Sequence, residues 1–416
     1  MIYEGRHMQH IRSKDIFYLL RNTLKLFDRR PIVHGGRVAY YVYKMLKQKG
    51  GLEDFQLADI VFLTTFHDIG AYRTEDIEQI IRYETKQFEA HSQYGYLFLS
   101  HLTLLGEISQ AVMYHHTDYT ALSKSAFSEK ELTSYISLAE AIDIYSGTLG
   151  AKFSLDIFKS QLGTRFSPTA YELFVKANSE VDLIEQVRSR EYINEVETLM
   201  DNFILRNEEK EKLLEFLMFT LALKSGIVIR NTAACVALCE KMANLMKLNV
   251  NQHKNLIYAA YVHDIGYMAF RKEWIEEPTK LAAAHLEKLA YHTLLMEQLL
   301  KDKMNREVVV IAAAHHERVD GQGYPRRLNE KQMSLPQMIL QFCDATVLFM
   351  EKPYDGGQVI EMVKRNVDGG SFNNVIAKVF IDRFDEICGY VDSRTEELLA
   401  GWREVENRYA ALGSGS

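Results

Sequence analysis

An internal repeat is the feature of this sequence that most constrains its fold. The tetrapeptide His-Asp-Ile-Gly occurs twice, at residues 67–70 and again 196 residues later at 263–266. Four further features of the first half recur in the same order, 197 to 201 residues downstream: His34 with Asn231, His91 with His292, the doublet His115-His116 with His315-His316, and Asp143 with Asp344. Five matches in one order at nearly one offset indicate a tandem duplication of a domain of roughly 190 residues.

The duplication predicts the domain organisation. An N-terminal domain is expected over residues 1–205 and a C-terminal domain over residues 206–410, followed by a short flexible tail at 411–416. In a chain of 416 residues, each half is long enough to bury a core of its own. A polar run at residues 206–212 falls at the junction, where it is either a connector or the solvated first turn of a helix.

Residue spacing predicts an all-α fold. The chain contains only 23 glycines and 6 prolines, and both residues interrupt helices and mark turns. Apolar residues at positions 16, 19, 20, 24 and 27 repeat with the period that places them on one face of a helix. We therefore expect two helical domains, and we interpret these apolar stripes as core positions.

Charge and composition exclude several kinds of partner. The net charge of −7 argues against binding to bulk nucleic acid or to an anionic membrane, although a local basic pocket remains compatible with it. The four cysteines form no Cys-x-x-Cys pair, which disfavours a zinc ribbon or a disulfide-stapled fold. No stretch approaches 18 uninterrupted apolar residues, and the N-terminus has no signal-like apolar segment, so we expect a cytoplasmic protein.

The first repeat contains seven side chains of the types that bind metal ions: His34, His67, Asp68, His91, His115, His116 and Asp143. Burying so many titratable groups without partners would cost several kcal/mol each, and bound cations are the simplest compensation. At the end of a helix His67 and Asp68 can turn into the same cleft, where an aspartate can bridge two cations. A nitrogen and oxygen ligand set suits iron, manganese, zinc or magnesium. Two such ions about 3.5–4 Å apart are a general device for cleaving phosphoesters.

These residues also carry a family resemblance. The order His, His-Asp, His, His-His, Asp resembles the HD superfamily of metal-dependent phosphohydrolases. The string HHERVDGQGYP at residues 315–325 is similar to the signature of its HD-GYP subfamily of bacterial cyclic-dinucleotide phosphodiesterases. The resemblance implies an all-α fold with two divalent metal ions, or three, in each active domain. Iron or manganese is expected first, with zinc, magnesium or nickel as alternatives. The implied activity is hydrolysis of cyclic di-GMP or 3',3'-cyclic GMP-AMP by a metal-activated hydroxide.

The resemblance also assigns roles to individual residues. The catalytic pairs are His67-Asp68 and His263-Asp264. The metal ligands of the first repeat are the seven side chains named above, and those of the second are His263, Asp264, His292, His315, His316 and Asp344. Substrate contacts are assigned to the loop residues Gly323, Tyr324 and Pro325, and to Arg73 as a source of positive charge.

Both repeats depart from the family pattern. The lysine that normally follows HDIG is replaced by Ala71 in the first repeat and by Tyr267 in the second. The second repeat has Asn231 where the first ligand is expected, and the first repeat has Thr117 after its His pair and no GYP loop. We expect the first repeat to be catalytic because it keeps the complete ligand series. The reverse assignment and a division of labour between the repeats stay open.

Two other functions remain compatible with the sequence. The chain could be a non-catalytic or weakly active module that binds a nucleotide, or a protein signalling partner through the GYP loop. It could also be an HD-type nucleotidase that acts on mononucleotides. The missing lysines and Asn231 favour the binding module, whereas the complete ligand series of the first repeat favours an enzyme.

Overall fold

The computed structural model describes residues 12–74, 77, 89–201, 207–351 and 353–414. Within these ranges the chain forms helices and no β-strand, apart from two isolated bridges, Leu162 with Phe166 and Asp320 with Asn329. The predicted all-α fold is therefore confirmed. None of the described helices has the combination of length and apolarity that crossing a bilayer requires.

The α-helices are numbered here in chain order. Those of the first half are α1 Ser13–Phe27, α2 Arg29–Lys49, α3 Asp54–Thr65, α4 Ala71–Thr74, α5 Glu89–Leu102, α6 Gln110–Met113, α7 Tyr119–Leu122, α8 Lys130–Leu149, α9 Pro168–Glu180, α10 Leu183–Ser189 and α11 Tyr192–Asp201. Those of the second half are α12 Asn207–Phe219, α13 Gly226–Leu245, α14 Val250–Val262, α15 Lys272–Glu276, α16 Ala283–Ala290, α17 His292–Leu300, α18 Arg306–Ala312, α19 Leu335–Val347, α20 Gly356–Asp368, α21 Asn374–Asp382 and α22 Phe384–Ser414. Short 3₁₀ helices lie at Gly106–Ser109, Gly150–Lys152, Leu155–Gln161, Thr220–Leu223, Ile265–Ala269 and Pro278–Lys280.

The described residues divide into two compact units. The N-terminal unit contains residues 12–17, 28–212 and 402–414, and the C-terminal unit contains residues 18–27 and 213–401. Each unit thus includes a segment from the opposite end of the chain, which the predicted boundary at residue 205 does not anticipate. Helix α12 begins inside the polar run at the junction, and α22 continues to Ser414, through most of the predicted tail.

In each unit one long central helix organises the core. Helix α2 packs against α3, α8 and α9, and α13 packs against α14 and α19 in the same manner. The side chain of Asp28 caps α2 by accepting the backbone N–H of Arg30, and Ser225 caps α13 similarly. The buried face of α2 carries Tyr40 and Tyr41, whose large rings fill the space between the helices.

Each HDIG sequence lies immediately after a buried helix. Residues 67–70 form the turn that follows α3, and residues 263–266 follow α14. A β-carbon added at Gly70 would lie 2.0 Å from the carbonyl oxygen of His91, and one at Gly266 would lie 2.1 Å from that of His292. The glycine is required because the turn touches the backbone at the start of the helix that carries the next histidine. This contact brings the widely separated sequence motifs to one place.

Candidate metal centres

The carboxylate of Asp68 lies at the centre of a buried cluster in the N-terminal unit. Its Oδ2 atom is 3.4 Å from Nε2 of His67 and 4.0 Å from Nε2 of His34. Its Oδ1 atom is 3.5 Å from Nε2 of His91 and 3.7 Å from Nε2 of His115. One carboxylate oxygen of Asp68 therefore faces His67 and His34, and the other faces His91 and His115, so this residue could help to hold cations on either side.

This unit contains two groups of side chains that could bind a metal ion. Within each group the potential ligand atoms lie within 4.8 Å of one another. The first group contains Asp68, His91, His115 and His116, and the second contains His34, His67 and Glu140. We call the two together the N-terminal site. Its ligand atoms are imidazole nitrogens and carboxylate oxygens, a set that suits first-row divalent ions.

Several polar atoms of the N-terminal site are buried without a hydrogen-bond partner in the described part of the chain. They are Nε2 of His34, His67 and His115, both carboxylate oxygens of Asp68, and both of Glu140. Leaving a buried polar atom unpaired costs about 1–3 kcal/mol, and more when the group is charged. So many unpaired atoms facing one space fit bound cations, which would satisfy all of them at once.

Backbone carbonyls fix the orientation of the site's imidazoles. The Nδ1 atom of His67 lies 2.8 Å from the carbonyl oxygen of Thr64, and Nδ1 of His115 lies 2.5 Å from that of Val112. With Nδ1–H donating to these carbonyls, each Nε2 faces the centre of the cluster. Such hydrogen bonds set the tautomer of metal-ligating histidines.

The pKa values of the cluster shift in both directions: burial alone would lower the pKa of His34 and of His115, but the neighbouring carboxylates of Asp143 and Asp68 outweigh it and raise both. Burial lowers the pKa of His67 to about 4 and that of His91 to about 3, so both imidazoles are neutral at pH 7. Burial by itself would raise the pKa of Asp68, but the neighbouring His67 and His115 outweigh it and hold that pKa well below its usual range. Burial raises the pKa of Glu140 to about 7. Neutral imidazoles and an ionised carboxylate are the forms that bind cations.

The structure separates the roles of two acidic residues on α8. Glu140 belongs to the His34 and His67 group, whereas Asp143 belongs to neither ligand group of the described residues. Asp143 instead lies 2.7 Å from Nδ1 of His34 and accepts two hydrogen bonds from Arg37, at 2.6 and 2.7 Å. Among the described residues Glu140, and not Asp143, therefore stands in a candidate ligand group, and Asp143 lies behind the His34 ring.

The structure also changes which residues of the two repeats correspond to each other. Glu140 lies 3.5 Å from Nδ1 of His116, and Asp344 lies 3.6 Å from Nδ1 of His316. Asp344 is thus the spatial counterpart of Glu140, not of Asp143 as the sequence offset of 201 suggested. The sequence did contain a signal for Glu140, because residues three apart on a helix share a face.

We predict that Asp143→Asn lowers the affinity of the N-terminal site for divalent cations by about 10–100-fold, the usual cost of losing an outer-shell partner. An amide accepts the hydrogen bonds of His34 and Arg37 less strongly and removes the negative charge behind the imidazole. Competition with a chelating dye, on a chain whose C-terminal site carries Asp264→Asn, measures this affinity. Asp156→Asn is the matched control, since Asp156 is exposed and pairs with Lys159 at the surface. An unchanged affinity in Asp143→Asn would contradict the positioning role.

The C-terminal unit contains a similar but not identical cluster. Its two ligand groups are His292, His315 and His316 on one side, and Cys235, His263 and Asp344 on the other. Asp264 lies between them, with Oδ2 3.3 Å from Nε2 of His263, and Oδ1 3.9 Å from Nε2 of His292 and 3.8 Å from Nε2 of His315. We call these residues together the C-terminal site. All six predicted ligands of the second repeat meet here, joined by a cysteine that sequence reasoning missed.

Glu317, which follows the second His pair, has a structural role. Its side chain is fully buried and accepts the backbone N–H of Arg326 at 2.6 Å and of Leu328 at 2.8 Å. It thereby fixes the backbone that follows the GYP loop. Thr117 stands at the corresponding position of the N-terminal unit, where the sequence has no such loop to hold.

The predicted substrate loop lies against the C-terminal site. The ring of Tyr324 packs on the ring of His316 with centroids 4.8 Å apart, and its backbone N–H donates to the carbonyl of His316. A β-carbon at Gly323 would lie 2.4 Å from the backbone nitrogen of Arg318, so this position admits only glycine. Tyr324 is 37% exposed and is followed by Pro325 through a cis peptide bond. The loop thus borders the cluster on its exposed side.

The two positions that lack the family's lysine are both occupied by packed side chains. Ala71 is fully buried, and the ring of Tyr267 stacks on His292 with centroids 4.1 Å apart. Arg73, predicted to supply the missing charge, donates to Glu406 at 3.2 Å, and Tyr94 donates to the same carboxylate at 2.7 Å. Its guanidinium is therefore already ion-paired within the N-terminal unit.

Comparison with known proteins identifies the family. Two models described as HD domain match the chain, one over residues 32–147 and one over residues 215–356. A 3'3'-cGAMP-specific phosphodiesterase of Vibrio cholerae is 25% identical over 415 residues, covering 94% of this chain and 91% of the relative. A cyclic di-GMP phosphodiesterase of Pseudomonas aeruginosa is 28% identical over 156 residues, covering 36% of this chain and 38% of the relative.

A solved structure supports the same fold. A crystal structure described as a cyclic GMP-AMP-specific phosphodiesterase of Vibrio cholerae has a TM-score of 0.56 to this chain, at 13% sequence identity. The superposition covers 89% of this chain and 97% of the crystallised chain. This structural similarity agrees with the two matching domain models and with the two clusters of histidine and aspartate side chains. The chain belongs to the HD-domain family and carries two HD domains in tandem.

Proposed function

We propose that this protein is a metal-dependent phosphodiesterase that hydrolyses a cyclic dinucleotide, with the N-terminal site as its main catalytic centre. The observation that carries the proposal is the position of Asp68, whose two buried and unpaired oxygens face two separate ligand groups among the described residues. A structural role alone gives no reason to bury so many unpaired ligand atoms around one carboxylate.

The relatives support the choice of substrate class. The relative that aligns along nearly the whole chain is named for 3'3'-cGAMP, and several that align over shorter stretches are named for cyclic di-GMP. We propose 3'3'-cGAMP as the preferred substrate and cyclic di-GMP as the second candidate. Both have two phosphodiester bonds in a ring, so the hydrolytic chemistry is the same for either.

Bound divalent cations would supply an activated water and compensation for the negative charge of the phosphate. The protein's own contribution is to hold these ions and to set the protonation of their ligands. Asp68 stays ionised between the two groups, while His67 and His91 stay neutral because burial lowers their pKa values. Asp143, which accepts hydrogen bonds from Arg37, holds the ring of His34, and backbone carbonyls hold those of His67 and His115.

Differences between the two sites support the N-terminal one as the main centre. His34 contributes an imidazole there, whereas the second repeat has Asn231 at the matching sequence position. In the C-terminal site Tyr267 covers one face of His292, and Tyr324 covers His316. These rings restrict the approach of a phosphate to that cluster. We propose that the GYP loop contacts a base or a partner there, and that this site acts on the linear product or regulates the first.

The test is a hydrolysis assay on full-length protein purified anaerobically and resupplied with Fe²⁺ or Mn²⁺. The substrates are 3'3'-cGAMP, cyclic di-GMP and mononucleotides, and the products are separated by chromatography. We expect ring opening of a cyclic dinucleotide, fastest with 3'3'-cGAMP. Binding of a dinucleotide to metal-loaded protein without turnover would contradict the proposal and favour a binding module. Turnover of mononucleotides alone would favour a nucleotidase.

A further inference from the structure

A cysteine occupies a ligand position in the C-terminal site. The Sγ atom of Cys235, a ring nitrogen of His263 and a carboxylate oxygen of Asp344 lie within 4.8 Å of one another. Cys235 and His263 are fully buried, and Asp344 is nearly so at 13% side-chain exposure. The three come from α13, from the turn after α14 and from α19, so the folded core of this unit holds them together.

The histidine of this group has an unpaired nitrogen that faces the cluster. Nδ1 of His263 lies 2.8 Å from the carbonyl oxygen of Ala260, so its N–H donates there and Nε2 faces the cluster. Nε2 is buried and has no hydrogen-bond partner among the residues that the structure describes. Carboxylate oxygens of Asp264 and Asp344 each lie 3.3 Å from it. A cation held between this nitrogen and the two carboxylates would pair all three groups at once.

The corresponding group of the N-terminal unit contains no sulfur. There His34, His67 and Glu140 provide two imidazoles and a carboxylate. In the C-terminal unit a thiol, an imidazole and a carboxylate meet instead, and the thiol is that of Cys235, one helical turn beyond Asn231 on α13. Residues four apart on a helix point to the same side, so this shift keeps the ligand on the inner face.

We propose that the C-terminal unit binds a thiophilic divalent cation, of which Zn²⁺ is the representative, through Cys235, His263 and Asp344, with Asp264 as the fourth ligand. Zinc commonly takes four such sulfur, nitrogen and oxygen ligands in tetrahedral geometry. Binding replaces the thiol proton, which is released to solvent, by the metal. The two units therefore differ in metal preference: the N-terminal site takes ions that favour nitrogen and oxygen, and the C-terminal site takes one that accepts a thiolate.

Cobalt spectroscopy tests this assignment directly, without relying on turnover. The full-length protein is stripped of metal and titrated with Co²⁺, whose thiolate complexes show a sulfur-to-cobalt charge-transfer absorption in the near ultraviolet. We expect this band in the wild type and in a His67→Ala/Asp68→Ala chain, and its loss in Cys235→Ser. X-ray absorption of the zinc-loaded wild type is expected to show a zinc–sulfur distance of about 2.3 Å.

Three variants serve as controls. Cys388→Ser removes a buried cysteine that lies on α22, outside the ligand group, and is expected to keep the band. Cys239→Ser, one turn beyond Cys235 on α13, is also expected to keep it. Cys235→His restores a ligand without sulfur, so the metal content should stay at the wild-type level while the band disappears. A Cys235→His protein that still binds metal but lacks the band would show that the band is lost because sulfur is absent, and not because the unit has unfolded.

Two results would overturn the proposal. One is a wild-type protein whose bound cobalt shows no charge-transfer band and whose zinc has no sulfur neighbour. The other is a band that survives Cys235→Ser or that disappears instead with Cys239→Ser. Neither result bears on whether the N-terminal site hydrolyses a dinucleotide, because the spectroscopic signal arises only from the thiolate.

Discussion

Asp68→Asn is expected to lower the hydrolysis of the cyclic dinucleotide by more than about 100-fold. Loss of an outer-shell partner already costs about 10–100-fold in metal sites, and Asp68 is the carboxylate that lies against both ligand groups. The amide keeps the size of the side chain but removes the negative charge that would help to hold divalent cations between the two ligand groups. Steady-state rates with Fe²⁺ or Mn²⁺, together with metal content by mass spectrometry, measure the effect.

Asp264→Asn is the matched variant, since Asp264 takes the same place in the C-terminal site. We expect it to leave most of the ring-opening rate intact. The metal-free Asp68→Asn protein should unfold at the same temperature as the metal-free wild type or higher, because a buried, unpaired charge has been removed. Full activity in Asp68→Asn together with inactivity in Asp264→Asn would transfer the catalytic role to the C-terminal site.

Gly70→Ala is expected to destabilise the protein by about 3 kcal/mol and to empty the N-terminal site. Overpacking in a tight core typically costs about 1–3 kcal/mol, and here the added β-carbon would meet backbone atoms that cannot rotate away. It would lie 2.0 Å from the carbonyl oxygen of His91 and 2.7 Å from the backbone nitrogen of Gly95. The HDIG turn must then move away from α5, which separates Asp68 from His91. Denaturant unfolding and metal content both report this change.

Gly147→Ala provides the control for the glycine substitution. Gly147 lies on the exposed side of α8, and a β-carbon there would have no described atom within 4 Å. Alanine in an open helical position is favoured over glycine by about 0.5–1 kcal/mol, so we expect a small stabilisation and an unchanged metal content. If Gly70→Ala behaved like Gly147→Ala, the close approach of the HDIG turn to α5 would not be a constraint on this fold.

Much of this protein could be predicted from its sequence, because the features concerned are local or recur. The helical period gave the all-α fold, and the duplicated HDIG and His-His elements gave two HD domains. Asp68 and the histidines of the first repeat were all named in advance, since adjacent residues of these types are a strong local pattern. The structure brings them into one cluster, as it does their counterparts around Asp264.

The tertiary structure decided between residues that the helical period leaves equivalent. Glu140 and Asp143 share a face of α8, and only the packing of α8 on α2 shows that Glu140 faces His67 while Asp143 binds Arg37. Cys235 has no motif around it and becomes a candidate ligand only where α13, α14 and α19 meet.

Contacts between residues far apart in the sequence could not be predicted either. The predicted phosphate contact Arg73 is paired with Glu406, which lies 333 positions away. Local sequence encodes which side chains share a helix face, because the helical repeat is fixed. Which of those side chains meet depends on contacts between distant helices, and these are specified by the packing of the whole core.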